Sequence, residues 1–434
     1  MKISNGIVPF ALAIVAVCLS IGAAHAQEKV FRIGILGALS GPVGDAAGRA
    51  ITTGTELAVK AVNARGGVEG YQIETVVIDA GSTAEKAVEA TRRLLADPSI
   101  DMIMSNLSSS QCAAMAGMAN AAKRFTWLTA CTAAKILNRK QFTYVFRTHI
   151  DSSEHARAAC RYLFDSARSA LGVNPGELKV GIVHEDGAYG RGLADDTNAA
   201  CSDLGIPIKL TRLFPTPTED FKPIINELKS SGVDIVLHAA YYPDVVRFLT
   251  QAAEAQLTFK ALIGQGGGYS HIDALSKEFG DAANFISNVD PATVQLIDPS
   301  TLRPGLSSVQ SDLIKRYKAA TGGKEIPSHA TTGYNSAWIL LTDVLPRAIR
   351  QNGGTDPEAL RKSALATDTP EGGTIQGYGV KFAGADAQNS GQNRRAFPVV
   401  MQYHHGVTQI VWPDALKTAE PVLPLPGDHP FADK

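Results

Sequence analysis

Residues 100–133 read IDMIMSNLSSSQCAAMAGMANAAKRFTWLTACTA. An apolar run at 100–104 predicts a buried strand, and a second apolar run at 126–128 predicts another. The Ala- and Met-rich stretch between them, residues 111–123, has the length and composition of a helix. A strand, a crossover helix and a second strand form a parallel β-α-β unit, so this stretch predicts an α/β fold.

The same alternation extends in both directions along the chain. Upstream, the pattern predicts strands at 30–36 and 71–78 and helices at 48–65 and 84–95. A second series begins near Asp151, where Asp151-Ser-Ser-Glu154 resembles a capping box that opens a helix. The strands and helices predicted in this second series are residues 180–184, 192–204, 206–210, 221–230, 234–238, 244–255 and 260–263. The chain therefore predicts two α/β lobes in series, each with a parallel sheet and helices on both faces, joined near residues 146–150.

The remainder of the chain adds fewer elements. Helices are predicted at 309–320 and 334–349, and a hairpin at 401–403 and 407–412. His404-His405 occupies the turn of that hairpin, where solvated side chains are favoured over a metal site. The Pro-rich tail from Pro413 is predicted to be irregular.

Composition excludes several classes of protein. The chain has 434 residues, a length typical of two or three domains. Lys+Arg is 41 and Asp+Glu is 42, and the net charge of −1 with no long basic run argues against nucleic-acid binding. A hydrophobic content of 45% argues against a mainly disordered chain.

The N-terminus has the pattern of a secretory signal peptide. Lys2 is followed by an apolar stretch over residues 7–21, then by Ala24-His25-Ala26 before Gln27. A membrane anchor is the alternative, but Pro9 interrupts a stretch shorter than a spanning helix needs. A lipoprotein anchored at Cys18 is disfavoured because Val17 stands where a small residue is expected. We expect cleavage after residue 26 and an exported, soluble mature chain.

Four cysteines remain after that cleavage: Cys112, Cys131, Cys160 and Cys201. They allow three pairings, and four buried thiols are an alternative to one or two bridges. Export to an oxidising compartment favours bridges. Cys112 and Cys131 lie just beyond adjacent predicted strand ends, so we predict that this pair is bridged. Cys160–Cys201 would likewise stay within one half of the chain.

The sequence lacks the common catalytic signatures. HExxH, GxSxG and GxxxxGK[ST] motifs are absent. Gly264-Gln-Gly-Gly-Gly268 follows a strand but lacks the Lys and Ser/Thr of a phosphate loop. It is a flexible loop, or a place where a ligand approaches the backbone closely.

Ser108-Ser109-Ser110 is the informative polar stretch, because it lies between a strand and a helix. Hydroxyls and free backbone N–H groups meet there at a helix N-terminus, which is a favourable site for an anion. The next strand ends in Thr129-Ala-Cys-Thr-Ala133 at the same carboxyl edge of the sheet, where open α/β sheets bind ligands. Simple helix capping is the alternative for the serines alone. The two strand ends together predict a site for a carboxylate.

The chain resembles the branched-chain amino-acid-binding family of periplasmic solute-binding proteins over most of its mature length. Each motif is weak alone, but their order and spacing are specific. The motifs are IGILGALSGP (33–42), NARGG (63–67), FRT (146–148), HEDGAYG (184–190), TEDF (218–221) and YYP (241–243).

The resemblance implies two lobes, joined by three strands, that close over a small ligand and deliver it to the membrane permease of an ATP-driven importer. The implied N-terminal lobe is 27–147 plus about 289–375, and the implied C-terminal lobe is 148–288 plus about 376–434. A Ser after the third strand, matching Ser109, and a segment after the fourth strand would hold the ligand carboxylate. Aromatic residues of the second lobe would close on the ligand. The residues expected at the site are Ser109, Ser110, Cys131, Thr132, Ala133, Tyr189, Tyr241, Gln265 and Gly266.

The sequence also departs from the family. Amino-acid binders usually have an acidic residue where Gln265 and Gly266 stand, and often a large side chain near Ala47. A buried ammonium without a counter-charge is costly, so an aromatic or aliphatic carboxylate without an amino group is the alternative ligand. Asp290 or Glu185 could supply the missing acid.

The leading hypothesis is a monomeric periplasmic binding protein with no catalytic residues, cofactor or metal, which captures a small carboxylate for an importer. A periplasmic sensor that signals through a separate membrane protein is the alternative. A secreted enzyme is a weaker one, because no paired nucleophile and base is present.

Overall fold

The computed structural model describes Met1, residues 29–44 and residues 46–433. The predicted signal peptide over residues 1–26 therefore lies outside the described residues, except for Met1. None of the described helices has the length and apolar character that a membrane span requires.

The first lobe is built around one parallel sheet. Its elements are β1 (Lys29–Gly37), α1 (Ala47–Asn63), β2 (Tyr71–Asp79), α2 (Ala84–Ala96), β3 (Met102–Ser105), α3 (Ser109–Ala121), β4 (Thr126–Leu128) and β5 (Val145–Arg147). The strand order is β2-β1-β3-β4-β5, and all neighbours are parallel. Every residue of β3 is buried, as expected for a strand covered by helices on both faces.

The second lobe repeats this alternation. Its elements are α4 (Ser152–Ser169), β6 (Val180–Glu185), α5 (Ala188–Asp203), β7 (Ile208–Phe214), α6 (Lys222–Ser231), β8 (Ile235–Ala239), α7 (Tyr242–Glu254), β9 (Ala261–Gly264), α8 (Ile272–Phe279) and β10 (Ser287–Asp290). The side chain of Asp151 accepts hydrogen bonds from the N–H groups of Ser153 and Glu154, which confirms the predicted cap of α4.

The rest of the chain adds helices to the first lobe and two strands to the second. The remaining elements are α9 (Leu306–Thr321), α10 (Ser328–Ile339), α11 (Leu345–Gln351), α12 (Pro357–Leu365), β11 (Val399–His404) and β12 (Val407–Trp412). The helices α9 to α12 pack on the core of the first sheet. The predicted hairpin is formed by β11 and β12, and it pairs antiparallel with β10 to complete a seven-stranded second sheet, β12-β11-β10-β9-β8-β6-β7. The second sheet therefore has a parallel centre and an antiparallel edge.

Three segments connect the two lobes: the chain after β5, the chain after β10, and the chain before β11. Val380 and Phe382 lie in the core of the first lobe, whereas the sequence places the return to the second lobe at about residue 376. The ring of Phe382 packs edge-on against the rings of Trp127 and Phe146, with centroid distances of 5.3 Å in both cases.

Several predicted elements differ from the structure. The helix predicted at 334–349 begins earlier, at Ser328, and is interrupted by a π-helical turn at Leu340–Val344. Pro346 follows this turn and has no N–H to donate, which accounts for the interruption. The strands β5 and β10 and the helices α8 and α12 were missed by the sequence patterns.

Both cysteine pairs within the described residues are bridged. The Cys112–Cys131 disulfide, predicted from the sequence, is confirmed, and Cys160–Cys201 is a second bridge. The first joins α3 to the segment after β4, and the second joins α4 to α5. The alternative of four buried thiols is therefore wrong.

Candidate functional site

A small cavity lies between the lobes, where the carboxyl ends of the strands of both sheets face each other. Six of its lining residues were expected from the sequence: Ser109, Thr132, Tyr189, Tyr241, Gln265 and Gly266. The others are Leu107, Ala130, His149, His155, Gly267, Asp290 and His329. The cavity encloses about 20 Å³.

Ser109 and Thr132 form the first-lobe wall. Ser108 caps α3, since its hydroxyl oxygen accepts from the N–H of Gln111 at 3.5 Å. Ser109 begins the helix, is 1% exposed, and its hydroxyl oxygen accepts from the N–H of Ala133 at 3.1 Å. The Ser109 O–H is therefore available to donate into the cavity, beside the N-terminus of α3. This wall can hold a carboxylate through charge-assisted hydrogen bonds.

Arg147 fixes the segment after β4. Its side chain is fully buried and donates to the carbonyl oxygens of Cys131 and Ala133 at 2.9 Å each, and to the side chain of Gln392. Burial lowers the pKa of Arg147 to about 10, and Asp151 partly offsets this, so the guanidinium stays charged at neutral pH. Arg147 thus acts on the site indirectly, by positioning the backbone of the segment after β4.

The tyrosines form the second-lobe wall. The ring centroids of Tyr189 and Tyr241 are 5.3 Å apart, and the Tyr189 O–H donates to the carbonyl oxygen of Gln265 at 2.8 Å. Burial raises the pKa of both tyrosines well above the ordinary value, so both are neutral. Two neutral rings offer an apolar surface with no negative charge.

The glycine stretch that follows β9 completes the second-lobe wall of the cavity. Gly266 and Gly267 have φ of 76° and 57°, and a Cβ on Gly267 would lie 2.5 Å from the carbonyl oxygen of Ala240. Only glycine fits that turn without strain. The strand before it, β9, lies between β8 and β10 inside the sheet.

Asp290 and a group of histidines form the remaining wall. The sequence indicated Asp290 as a possible acid, but its patterns missed the histidines. Asp290 ends β10, and its Oδ1 is 3.8 Å from Nε2 of His149 and 3.7 Å from Nε2 of His155. His329, at the start of α10, also lines the cavity, and its Nδ1 lies 3.2 Å from Nε2 of His271. These residues come from different segments of the chain, so the group lies where the two lobes meet.

Three of the expected residues lie off the cavity wall. The hydroxyl oxygen of Ser110 accepts a hydrogen bond from the N–H of Ala188, in the other lobe, at 3.1 Å. The sulfur of Cys131 is bonded to Cys112 in a disulfide. Ala133 packs in the core of the first lobe. Glu185, considered as a source of the missing acid, has its carboxylate occupied by the N–H groups of Gly187 and Gly190 at 2.6 Å each.

Among the described residues, no group of three or more His, Cys, Asp or Glu side chains is arranged to hold a metal ion.

Comparison with known proteins identifies the family to which the chain belongs. The sequence profile of the family described as "Periplasmic binding protein" matches residues 30–398. The chain belongs to this periplasmic binding protein family. Members of the family are binding proteins rather than enzymes. A "Leu/Ile/Val-binding protein homolog 7" of Brucella suis is similar, with 30% identity over 419 residues, 95% of this chain and 98% of the relative.

Two solved periplasmic binding proteins show the same fold. A leucine-binding protein from Thermotoga maritima has a TM-score of 0.72 at 19% identity, covering 88% of this chain and 97% of the other. A solute-binding protein of an ABC transporter from R. palustris, in complex with benzoate, has a TM-score of 0.72 at 20% identity, covering 94% and 100%. The predicted α/β fold with two lobes is thereby confirmed.

This periplasmic binding protein is in a closed arrangement. Val43, Ala47, Ile51, Leu107 and Ala130 of the first lobe form one apolar cluster with Tyr189, Leu193, Ala239 and Tyr241 of the second. A cavity of about 20 Å³ holds roughly one water molecule. A ligand larger than water therefore requires the lobes to separate.

Proposed function

We propose that the protein captures a small carboxylate-bearing ligand in the periplasm and delivers it to the membrane permease of an ATP-driven importer. The observation that carries this proposal is the Ser109 hydroxyl, buried at the N-terminus of α3 and directed to a cavity between two lobes. The lobes are joined by three crossings, which suits closure about a hinge.

The names of similar proteins support a carboxylate. The relative is named for leucine, isoleucine and valine, and the two similar structures are described with leucine and benzoate. All of these ligands carry a carboxylate, whereas only some carry an amino group. Ser109 and Thr132 would hold the shared group, and Tyr189 and Tyr241 would cover the rest of the ligand.

Location and assembly follow from the same interpretation. The pattern of residues 1–26 favours export with cleavage before Gln27, and a soluble monomer in the periplasm is the form expected of such a carrier. N-terminal sequencing of the protein from a periplasmic extract tests this, because a mature chain that retains residues 1–26 contradicts it.

A thermal-shift screen of amino acids and of aromatic and aliphatic acids tests the binding function. A ligand at a hundred times its dissociation constant stabilises the native state by about 2.7 kcal/mol, which raises the melting temperature measurably. Calorimetry should then give one site per chain, and the ligand should be recovered unchanged. If no carboxylate shifts the melting temperature, the proposed function is wrong.

A further inference from the structure

A groove of about 1060 Å³ lies beside the hinge. One of its walls comes from α4, α5 and the end of β12 in the second lobe. The other wall comes from residues 296–301 and 371–377, which belong to the first lobe because Val294 and Ile375 lie in its core. None of the described residues that line the cavity between the lobes also lines this hinge groove.

The order of the strands places the hinge groove and the cavity on different sides of the hinge. The order in the second sheet is β12-β11-β10-β9-β8-β6-β7. Tyr189, Tyr241 and Gln265, which line the cavity, follow β6, β8 and β9. The chain crosses between the lobes after β10 and before β11, and Trp412 of the hinge groove ends β12, beyond those crossings. The hinge groove is therefore not an extension of the site assigned to the carboxylate ligand.

The surface of the hinge groove is largely apolar. Leu296, Phe397 and Leu416 line it and are only partly buried where they pack on the small core beside β11 and β12. The indole N–H of Trp412 donates to Asp165 at 3.1 Å, which fixes this half-buried ring in the wall. A concave surface of this size with aromatic side chains is typical of sites that bind small organic molecules.

The charges of the hinge groove are unbalanced. Each of the three basic side chains that line it is held in an ion pair: Arg157 with Glu154, Arg161 with Asp165, and Lys417 with Asp414 and Glu420. Asp203, Asp298 and Glu371 also line the groove, and in the described part of the chain no Lys, Arg or His lies at ion-pair distance from them. The hinge groove therefore presents a net negative potential.

This combination selects among the molecules that could fill the groove. An organic anion would meet three unpaired carboxylates, while the basic side chains are already paired. A neutral apolar molecule would gain nothing from those carboxylates. A molecule with an apolar body and a positive charge matches both features, and the rings of Trp412 and Phe397 also attract cations.

We propose that the hinge groove is a second binding site, which takes an organic cation with an apolar body. The site lies apart from Ser109 and its ligand, so this inference goes beyond the proposed function and does not rest on it. Because the two walls belong to different lobes, the occupant contacts both lobes.

Titrations with 4-phenylbutylammonium and with 4-phenylbutanol at low ionic strength test this site, because the two compounds differ only in the head group. Trp127 and Trp338 are buried in the core of the first lobe, so Trp412 is the tryptophan whose emission should respond. We expect one site per chain and about fivefold tighter binding of the ammonium. Trp412→Phe should abolish the change in emission, whereas calorimetry should still detect binding.

A pair of double variants tests the role of the carboxylates. Asp203→Asn combined with Glu371→Gln should remove most of the preference for the ammonium. Glu89→Gln combined with Glu254→Gln is the matched control, because it removes the same charge from α2 and α7, outside the hinge groove. All four side chains are exposed, so both double variants should fold.

Several results would overturn the site. They are equal binding of the two compounds, tighter binding of the alcohol, and no binding of either compound at millimolar concentration. A preference for the ammonium that survives in the Asp203→Asn, Glu371→Gln variant also overturns it, since the cation is then held elsewhere. So does an equal loss of preference in both double variants, which would assign the effect to the net charge of the protein. None of these results bears on the proposed capture of a carboxylate between the lobes.

Discussion

The hydroxyl oxygen of Ser109 accepts a hydrogen bond from the backbone N–H of Ala133 at 3.1 Å. This bond ties the N-terminus of α3 to the segment after β4. The Cys112–Cys131 disulfide makes the same connection covalently. Arg147 donates hydrogen bonds to the carbonyl oxygens of Cys131 and Ala133 in that segment. The end of the cavity assigned to the ligand carboxylate is therefore held in place before any ligand arrives.

Ser109→Ala is expected to weaken binding of a carboxylate ligand by about ten- to a hundredfold. The variant loses a hydrogen bond to a charged group, worth roughly 1.5–3 kcal/mol. The fold should persist, since Ser108 still caps α3. Isothermal titration calorimetry with the best ligand of the thermal-shift screen measures the change.

The amide of the same ligand provides the control for this variant. Amidation should weaken wild-type binding similarly but should weaken Ser109→Ala binding much less. Ser363→Ala, at a buried serine of α12 outside the cavity, should bind both compounds like the wild type. Equal losses on amidation in both proteins would show that Ser109 does not contact the carboxylate.

The two disulfides are expected to have different roles. Their sequence separations of 19 and 41 residues correspond to roughly 3 and 4 kcal/mol of stabilisation by loop entropy. Replacing Cys112 and Cys131 by Ser should lower both the melting temperature and the ligand affinity, because that bridge lies at the site.

The matched variant replaces Cys160 and Cys201, which join α4 to α5 away from the cavity. It should lower the melting temperature and leave the affinity within about twofold of wild type. Free-thiol counts on the denatured, unreduced mature chain should be zero. Loss of affinity in both double variants would assign the effect to stability alone.

Apolar periodicity predicted most strands and helices because their burial follows the sequence closely. It failed where buried residues are polar. β10 reads SNVD, and Asn288 and Asp290 are buried there because they bind Gly266 and Ser270. β5 contains Arg147, whose buried guanidinium donates through Nη1 to carbonyl oxygens 16 and 14 residues earlier in the chain. Such strands carry no local signal, since their stabilising partners are far away in the chain.

The site was predictable where one rule applied, namely that residues after parallel strands meet at one edge of the sheet. That rule led to Ser109 and Thr132. It would also have indicated His149, which follows β5, and would have favoured Asp290, which ends β10, over Glu185, had those strands been assigned. His329 lies at the start of a helix nearly two hundred residues away from His149, and only lobe closure reveals their proximity.

Replacing two helical glycines by alanine is expected to have opposite effects on stability, because one is closely packed and the other is not. A Cβ on Gly54 would lie 2.0 Å from the carbonyl oxygen of Ala330, so Gly54→Ala must separate α1 from α10 and should cost about 1–3 kcal/mol. A Cβ on Gly117 in α3 would meet no packing neighbour within 4 Å, so Gly117→Ala should stabilise by about 0.5–1 kcal/mol. Thermal denaturation measures both, and a stable Gly54→Ala protein would contradict this helix contact.

Ligand affinity is expected to fall in acid. Burial in the closed form lowers the pKa of His149 to about 4 and that of His271 to about 3, from an ordinary value of 6.5. The pKa of His329 is also lowered by burial. If lobe opening exposes these rings to water, the open form takes up protons that the closed form excludes. Closure is then favoured fully above pH 6.5 and is progressively lost as the pH falls from 6.5 toward 4.

The groups that face these rings set the size of the effect. They are Asp290 and His155 beside His149, and Tyr242 beside the contacting pair His271 and His329. Tyr242 is neutral throughout this range. At pH 5.5, one pH unit below the ordinary histidine value, each exposed histidine disfavours closure by about tenfold. Calorimetry at pH 7.5 and pH 5.5 should therefore show at least a tenfold loss of affinity. His271→Gln should reduce that loss, whereas His404→Gln, in the β11–β12 hairpin, should retain it. An affinity that is constant or rises toward pH 5.5 would show that these rings do not release protons on closure.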